Sequence, residues 1–226
     1  MLAAAAYGEG IGTDFLSGLT TRDLRPRQEA LLNHPLWTGL ETQTTTREQL
    51  ARFALQDSFL IREIHRLDGL AIAKAPTVAA ADALITKLTP KAGALDTLLR
   101  FGEAVGLTAE DFERAEPLAP CLALTAQFYY HLARSSFAET VACLGASETI
   151  FLETCGRIDA PLRRYGFSDH ALEFFSFHEA LESAERATTE LLRPSVQTDA
   201  EREAVTRAAE VCYDFEKMFY DAVLTG

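Results

Sequence analysis

The sequence predicts an all-α protein, and three observations carry that prediction. Apolar residues recur at helical spacing through almost every segment, and no segment alternates apolar and polar residues as a half-buried strand does. Proline falls between these segments or near their ends, where helices tolerate it. At 226 residues the chain lies within the range of one large domain. We therefore expect seven or eight helices around a single core.

The domain boundary is expected near the N-terminus. Residues 1–20 are small, glycine-rich and without pattern, so we predict a loose arm there and a helical domain over residues 21–226. No internal repeat of 20–50 residues is evident, which argues against a solenoid.

Composition excludes several classes of partner. The chain carries 21 Lys and Arg against 33 Asp and Glu, a net charge of −12, which disfavours nucleic acid or an anionic membrane as a partner. Its four cysteines lie in apolar segments without CxxC spacing, as reduced buried thiols do. The start lacks the basic and long apolar regions of an export signal, and no later run is apolar enough to span a membrane. We expect a cytoplasmic protein.

Boundary residues define the helices predicted in the first half of the chain. Proline fits the first turn of a helix, threonine caps N-termini, and glycine closes C-termini. On these rules we expect helices over residues 21–33, 46–75 and 78–105, the last kinked or split at Pro90 and Gly93, and a short helix opening at Thr108. The HPLW run at 34–37 is expected to be an extended or turned connection.

The second half continues in the same way. After a turn marked by two prolines comes an aromatic-rich helix, and a serine then begins each of the next two. We expect these three helices, and a last one, over residues 121–136, 136–166, 168–193 and 199–224. Gly145 and Ser147 are poor helix formers in mid-helix, which indicates a kink or a close approach to a ligand.

Several predicted helices place a polar side chain inside their apolar stripe. Asp57 lies at the centre of the stripe of its helix, and Glu216 lies in the middle of the buried set of the last helix. Ser147 is central in an apolar arc, with Glu148 at its edge. Burying a carboxylate without a partner costs several kcal/mol, so such residues imply a shared site.

The segment 168–193 shows the same feature most strongly. At about 100° per residue, His178, Glu182 and Glu185 fall in one arc with apolar residues such as Phe174. Two carboxylates beside an imidazole imply a shared charge, proton, ligand or metal. No phosphate-binding loop, GxGxxG, HExxH or GxSxG motif is present, so nucleotide cofactors receive no support.

Three runs of the sequence resemble the TenA (thiaminase II) family. They are HPLW followed by LARFALQDSFLIREIHRLDGLAIAKA, similar to the family's HPF and YYLxQD helix; SFAETVACLGASETIFLE, similar to its NFAE and LLPC helix; and YDFEKMFYDAV, similar to its YEYxFWxMAY helix. The resemblance covers about residues 34–223 in the right order. It implies the all-helical fold shared with heme oxygenase and PqqC, a small heterocyclic substrate bound within the bundle, and a homo-oligomer. The implied activity is hydrolysis of a C–N bond in an aminopyrimidine or thiamine-like compound, without a cofactor.

Residue by residue, the resemblance assigns roles to the buried acids. Asp57 falls on the substrate-holding aspartate and Glu216 on the catalytic glutamate. The family's nucleophilic cysteine falls on Ser147; members without that cysteine use a glutamate instead, and Glu148 is adjacent. The expected pocket wall, including positions where the family has tyrosines, consists of Leu60, Leu124, Phe151, His178 and Phe219.

Two alternatives remain open. The superfamily also contains non-haem iron oxidases, and their ligand helix resembles His178, Glu182 and Glu185, with Glu148 from the preceding helix. Such a set would suit iron or manganese. Those enzymes take another Glu and His from the third long helix, where residues 84–104 contain no histidine. The second alternative is a binding protein without catalysis, since a fold does not carry function.

Overall fold

A computed structural model describes residues 24–88, 91–176 and 181–226, with no strand among them. The predicted arm over residues 1–20 lies outside the described residues. Ten α-helices are present in these ranges: α1 (Arg25–Leu32), α2 (Pro35–Glu41), α3 (Arg47–Lys74), α4 (Val78–Leu88), α5 (Ala94–Ala104), α6 (Ala109–Arg114), α7 (Ala119–Arg134), α8 (Phe137–Arg163), α9 (Leu181–Leu192) and α10 (Asp199–Thr225). The all-α prediction is confirmed.

Side-chain caps set where four of the helices begin. The side chains of Thr46, Thr108, Ser136 and Thr198 each accept a hydrogen bond from the backbone N–H three residues later. The side chain of that later residue in turn accepts one from the backbone N–H of the cap. Each capping box satisfies two backbone donors that a helix N-terminus leaves open. The expected starts at Thr46, Thr108 and Ser136 are confirmed.

The described residues contain more helices than the seven or eight predicted, because one predicted connection is a helix and one predicted helix is split into two. The HPLW run is not an extended connection: it begins α2, where Pro35 occupies the first turn and the His34 ring accepts from the Leu36 N–H at 3.2 Å. The segment 78–105 is split into α4 and α5, as allowed for. Gly93 precedes α5 with a φ of 84°, which favours glycine.

The single helix predicted over residues 168–193 is wrong. Residues 168–176 form turns and a one-turn 3-10 helix, Glu173–Phe175, and the described part of α9 covers Leu181–Leu192. Phe174 and Phe175 are both buried, and the Phe175 ring packs edge-on against Phe101 of α5 at 4.8 Å. The Phe174 ring packs against Phe151 of α8 at 5.7 Å, so the two neighbouring rings occupy different parts of the core.

Three long helices and α7 build the core. α8 packs against α9 and α10, α10 packs against α7, and α3 packs against α5 and α7. Gly145 lets α8 and α9 approach closely, since a Cβ there would lie 2.5 Å from Cγ2 of Thr188. The close approach at Gly145 is thus to a neighbouring helix, whereas the sequence indicated a kink or a ligand. Among the described helices, none combines the length and apolarity that a bilayer crossing requires.

Candidate active site

The described part of the chain encloses a cavity of about 510 Å³ between α3, α4, α7, α8, α9 and α10. Most of its wall is apolar, and most of its polar side chains form two clusters. A volume of this size is typical of sites for small organic ligands. A second depression of about 340 Å³ lies beside the Arg100–Glu173 ion pair, but none of its six lining residues is buried. The larger cavity is therefore the candidate site.

An acid pair, Asp57 of α3 and Glu216 of α10, forms the first polar cluster. Both side chains line the cavity, and the residues are only 6% and 4% exposed. Burial, together with the nearby charge of Glu216, raises the pKa of Asp57 to about 8. Burial likewise raises the pKa of Glu216 to about 7, although the hydrogen bond from Ser147 and the nearby Tyr220 hydroxyl oppose the rise. The two acids predicted to share a site do line one cavity.

Ser147 belongs to the acid pair. Its hydroxyl Oγ donates to Oε2 of Glu216 at 2.9 Å, joining α8 to α10. The sequence indicated Glu148, the residue next to Ser147, as the glutamate that stands in for the missing cysteine. In the structure, the carboxyl group bonded to Ser147 is that of Glu216, which lies 69 residues away along the chain.

Tyr220 and two cysteines surround the acid pair. The Tyr220 side chain is fully buried, and its hydroxyl makes no well-aligned hydrogen bond among the described residues, although it acts electrostatically on Glu216. Burial, with a further contribution from Asp57, raises the pKa of Cys121 to about 12 and that of Cys155 well above its usual value. Because only a thiolate is a strong nucleophile, these cysteines are poorly suited to replace the family's cysteine.

The second polar cluster, here called the lysine cluster, consists of Lys87, Lys91, Glu148 and Asp68. The Lys87 ammonium lies 2.5 Å from Glu148, and Lys91 lies 3.0 Å from Asp68 and 3.6 Å from Glu148. Burial alone would raise the pKa of Glu148, but Lys91 and Lys87 outweigh it and the net shift is downward. Burial would lower the pKa of Lys91, but Glu148 and Asp68 reverse it. Both shifts favour the charged forms of Glu148 and Lys91.

The cavity wall agrees in part with the predicted pocket residues. Leu60 and Phe151 line the cavity, and the Phe151 ring packs against Phe174 at 5.7 Å. Leu124 and Phe219 are buried in the core but are not among the lining residues. Sequence reasoning missed the two lysines, Tyr220, Phe128 and Phe174. Tyr220 follows Glu216 by four residues, a spacing that could have identified it.

The predicted metal ligands are placed only in part. His178 lies outside the described residues, and the side chains of Glu182 and Glu185 are not described, although both residues belong to α9. Glu148 is described, and two ammonium groups contact its carboxylate. A metal ion bound by this carboxylate would have to compete with both ammonium groups for its lone pairs.

The fold and cavity define an all-helical protein, in its described residues, that encloses a mainly apolar cavity with a buried acid pair. The chain belongs to the TENA/THI-4/PQQC family, whose sequence profile matches residues 21–226. The resemblance stated from the sequence is confirmed at this level. No curated protein matches the chain significantly.

Solved structures show the same fold. A TenA homologue from Pseudomonas syringae superposes with a TM-score of 0.83 at 12% identity, covering 100% of both chains. A candidate TenA-like thiaminase from Sulfolobus solfataricus gives a TM-score of 0.70 at 15% identity, covering 95% of this chain and 96% of that one. A domain from Shewanella denitrificans with a heme oxygenase-like fold gives 0.69 at 15% identity, covering 94% and 88%. The predicted heme-oxygenase-like fold is confirmed.

Proposed function

We propose that this protein is a TenA-like hydrolase that cleaves a C–N bond of an aminopyrimidine or thiamine-like compound in the 510 Å³ cavity. The observation that carries the proposal is the acid pair. Two buried carboxyl groups with pKa values of about 8 and about 7 lie in one cavity with a hydroxyl group between helices. Strongly perturbed acids in a pocket are typical of catalytic sites. Family membership and the likeness to a candidate thiaminase support the same assignment.

Asp57 would hold the heterocycle. A pKa of about 8 keeps this carboxyl largely protonated at neutral pH. A neutral carboxyl donates one hydrogen bond and accepts another, whereas a carboxylate only accepts. It therefore matches the edge of an aminopyrimidine, where a ring nitrogen accepts and the neighbouring amino group donates.

Glu216 would move the proton. A pKa of about 7 lies near the operating pH, where a group serves both as general base and as general acid. As a base it would take a proton from water or from Ser147, and as an acid it would give one to the departing amine. The products would be an alcohol and an amine, or ammonia when the substrate carries a primary aminomethyl group.

The activity test compares two isosteric variants with the unchanged protein. Asp57→Asn and Glu216→Gln should each lower turnover by about two orders of magnitude or more, because the first removes the carboxyl group that holds the heterocycle and the second removes the group that transfers the proton, while each keeps the side-chain shape. Product would be followed by chromatography with an aminomethyl aminopyrimidine and with thiamine. Arg207→Ala, which removes an exposed arginine paired with Glu203, is the control and should keep full activity. Absence of product from the unchanged protein would contradict the proposal.

Ser147→Ala separates two routes. If Ser147 is the nucleophile, the variant loses activity to the same extent as Glu216→Gln. If water attacks, with Glu216 as its base, the variant keeps activity within about tenfold. Measurement of kcat for the variant decides between a covalent intermediate and direct hydrolysis.

The metal-dependent oxidase and the non-catalytic binding protein stay predictions. The ion pairs of Glu148 speak against that residue as a ligand for iron or manganese. Elemental analysis of protein purified from iron-supplemented cells tests the oxidase, and bound iron lost on His178→Ala, with stability intact, would favour it. Tight ligand binding without product would favour the binding protein.

A further inference from the structure

The same cavity carries three basic side chains, the two lysines of the lysine cluster and Arg186, next to the acids Glu148, Asp68 and Glu190. Lys87 of α4 and Lys91, just before α5, line the cavity with Arg186 of α9. The two lysine side chains are only 12% and 18% exposed. Charged groups at this depth cost desolvation energy, and a buried ion pair is weak support for stability. Their position on the cavity wall calls for a role towards the ligand.

Each lysine keeps donor capacity for a ligand. An ammonium group has three N–H donors. Lys87 uses contacts to Glu148 and to the Thr188 hydroxyl at 3.1 Å, and Lys91 uses contacts to Asp68 and Glu148. Within the described residues, these contacts leave one N–H of each lysine, beside the guanidinium of Arg186, which lines the same wall and is exposed. The carboxylates hold both ammonium groups in place.

The lysine cluster directly adjoins the acid pair. Ser147, which contacts Glu216, and Glu148, which contacts Lys87, are consecutive residues of α8. Their side chains diverge by about 100° around the helix axis, so the two clusters occupy adjacent parts of the cavity. A single ligand could therefore contact both. The volume of about 510 Å³ falls in the range that holds drug-sized ligands, well beyond one aromatic ring.

Resting on the function proposed above, we propose that the substrate is an amino-heterocycle with an anionic phosphate group, and that Lys87, Lys91 and Arg186 bind this phosphate while Asp57 and Glu216 hold the heterocycle. Phosphate is the best match because it presents several acceptor oxygens to convergent N–H donors from three side chains. Arg186 marks the exposed end of the cavity, where the more strongly hydrated part of the ligand would lie.

Equilibrium titration with thiamine and with thiamine monophosphate tests the proposal, with product measured chromatographically in the same samples. The unchanged protein should bind the phosphorylated compound about tenfold or more tightly, as expected for charged hydrogen bonds. Lys87→Ala and Arg186→Ala should each reduce this preference. Arg186→Ala removes an exposed side chain, so it should fold even if Lys87→Ala does not. The control Arg207→Ala should keep the preference.

The outcomes are distinguishable. Equal affinity for the two compounds, or a preference that survives both Lys87→Ala and Arg186→Ala, overturns the phosphate site. A phosphate preference without product from either compound supports the site and contradicts the hydrolase. Product from thiamine without a phosphate preference contradicts only the site, and binding of neither compound contradicts both.

Discussion

Asp57 and Glu216 are buried acids whose carboxyl groups stay protonated to higher pH than usual. Within the described parts of the chain, neither has a lysine, arginine or histidine at ion-pair distance. Their pKa values of about 8 and about 7 are therefore raised mainly by burial. Both acids bind more protons in the folded chain than in the unfolded chain over the interval between their ordinary and raised pKa values.

This proton uptake predicts how stability depends on pH. The favourable contribution of each neutral acid is complete below its unfolded pKa, near 4, and is lost as pH rises through its folded pKa of about 7 or about 8. The free energy of unfolding should thus fall with rising pH across this window. Asp57→Asn should flatten the fall and stabilise the protein at pH 8 by on the order of 2 kcal/mol.

Urea unfolding at several pH values measures this effect. The control is Asp214→Asn, which changes an exposed aspartate on the same helix as Glu216 and should leave the slope nearly unchanged. Parallel curves for Asp57→Asn and the unchanged protein would contradict the raised pKa. A variant that is more stable and less active would indicate an acid retained for function at the expense of stability.

At the scale of elements, the site depends on how closely α8 and α9 pack. α8 carries both Ser147 and Glu148, while α9 carries Thr188 and Arg186. Gly145 is the point of contact, because a Cβ there would lie 2.5 Å from Cγ2 and 2.7 Å from Oγ1 of Thr188. Any side chain at this position must push the two helices apart or move the threonine.

Gly145→Ala should therefore destabilise the protein by about 1–3 kcal/mol through overpacking. The matched control is Gly69→Ala in α3, where an added Cβ meets nothing within 4 Å. This control should stabilise by about 0.5–1 kcal/mol, because alanine loses less backbone entropy than glycine in a helix. Denaturant unfolding gives both values.

Thr188→Ala removes the atoms that the new methyl group would meet, so Gly145→Ala with Thr188→Ala should recover much of the loss. Equal stabilities for Gly145→Ala and Gly69→Ala would contradict the close approach. The close approach would also be contradicted if the double variant stayed as unstable as Gly145→Ala.

At the scale of the whole molecule, the core encloses all four cysteines as free thiols. Cys121, Cys143, Cys155 and Cys212 are at most 3% exposed, and burial raises the pKa of Cys121, Cys155 and Cys212. Thiol chemistry therefore reports on opening of the fold, since the reagent needs access and the thiolate form.

A thiol reagent should accordingly titrate four groups in denaturant and react far more slowly with the native protein. We expect the native rate to rise with urea in parallel with unfolding. Rapid modification of one cysteine in the native state, with loss of activity, would contradict the burial described and restore a cysteine as a candidate nucleophile. The control is the unfolded chain, in which all four should react alike.

The sequence by itself determined the helical class, most helix boundaries and the burial of Asp57 and Glu216. These are local properties. Caps such as Thr46 satisfy the open backbone N–H donors of their own helix, and the 3.6-residue period of apolar residues indicates which face of a helix is buried. Leu60 and Phe151 could be predicted as cavity wall on the same basis together with the family resemblance. The roles of these residues stay predictions.

Only the tertiary structure decided which polar groups meet. The sequence placed Glu148 beside Ser147, but the packing of α8 against α10 pairs Ser147 with Glu216 and leaves Glu148 to Lys87. The tertiary structure also shows that residues 168–176 are turns and a 3-10 helix in which Phe174 and Phe175 are both buried, not part of one continuous helix. Periodicity fixes the buried face of each helix, whereas the partner across an interface depends on the rotation and offset of two helices, which only packing sets.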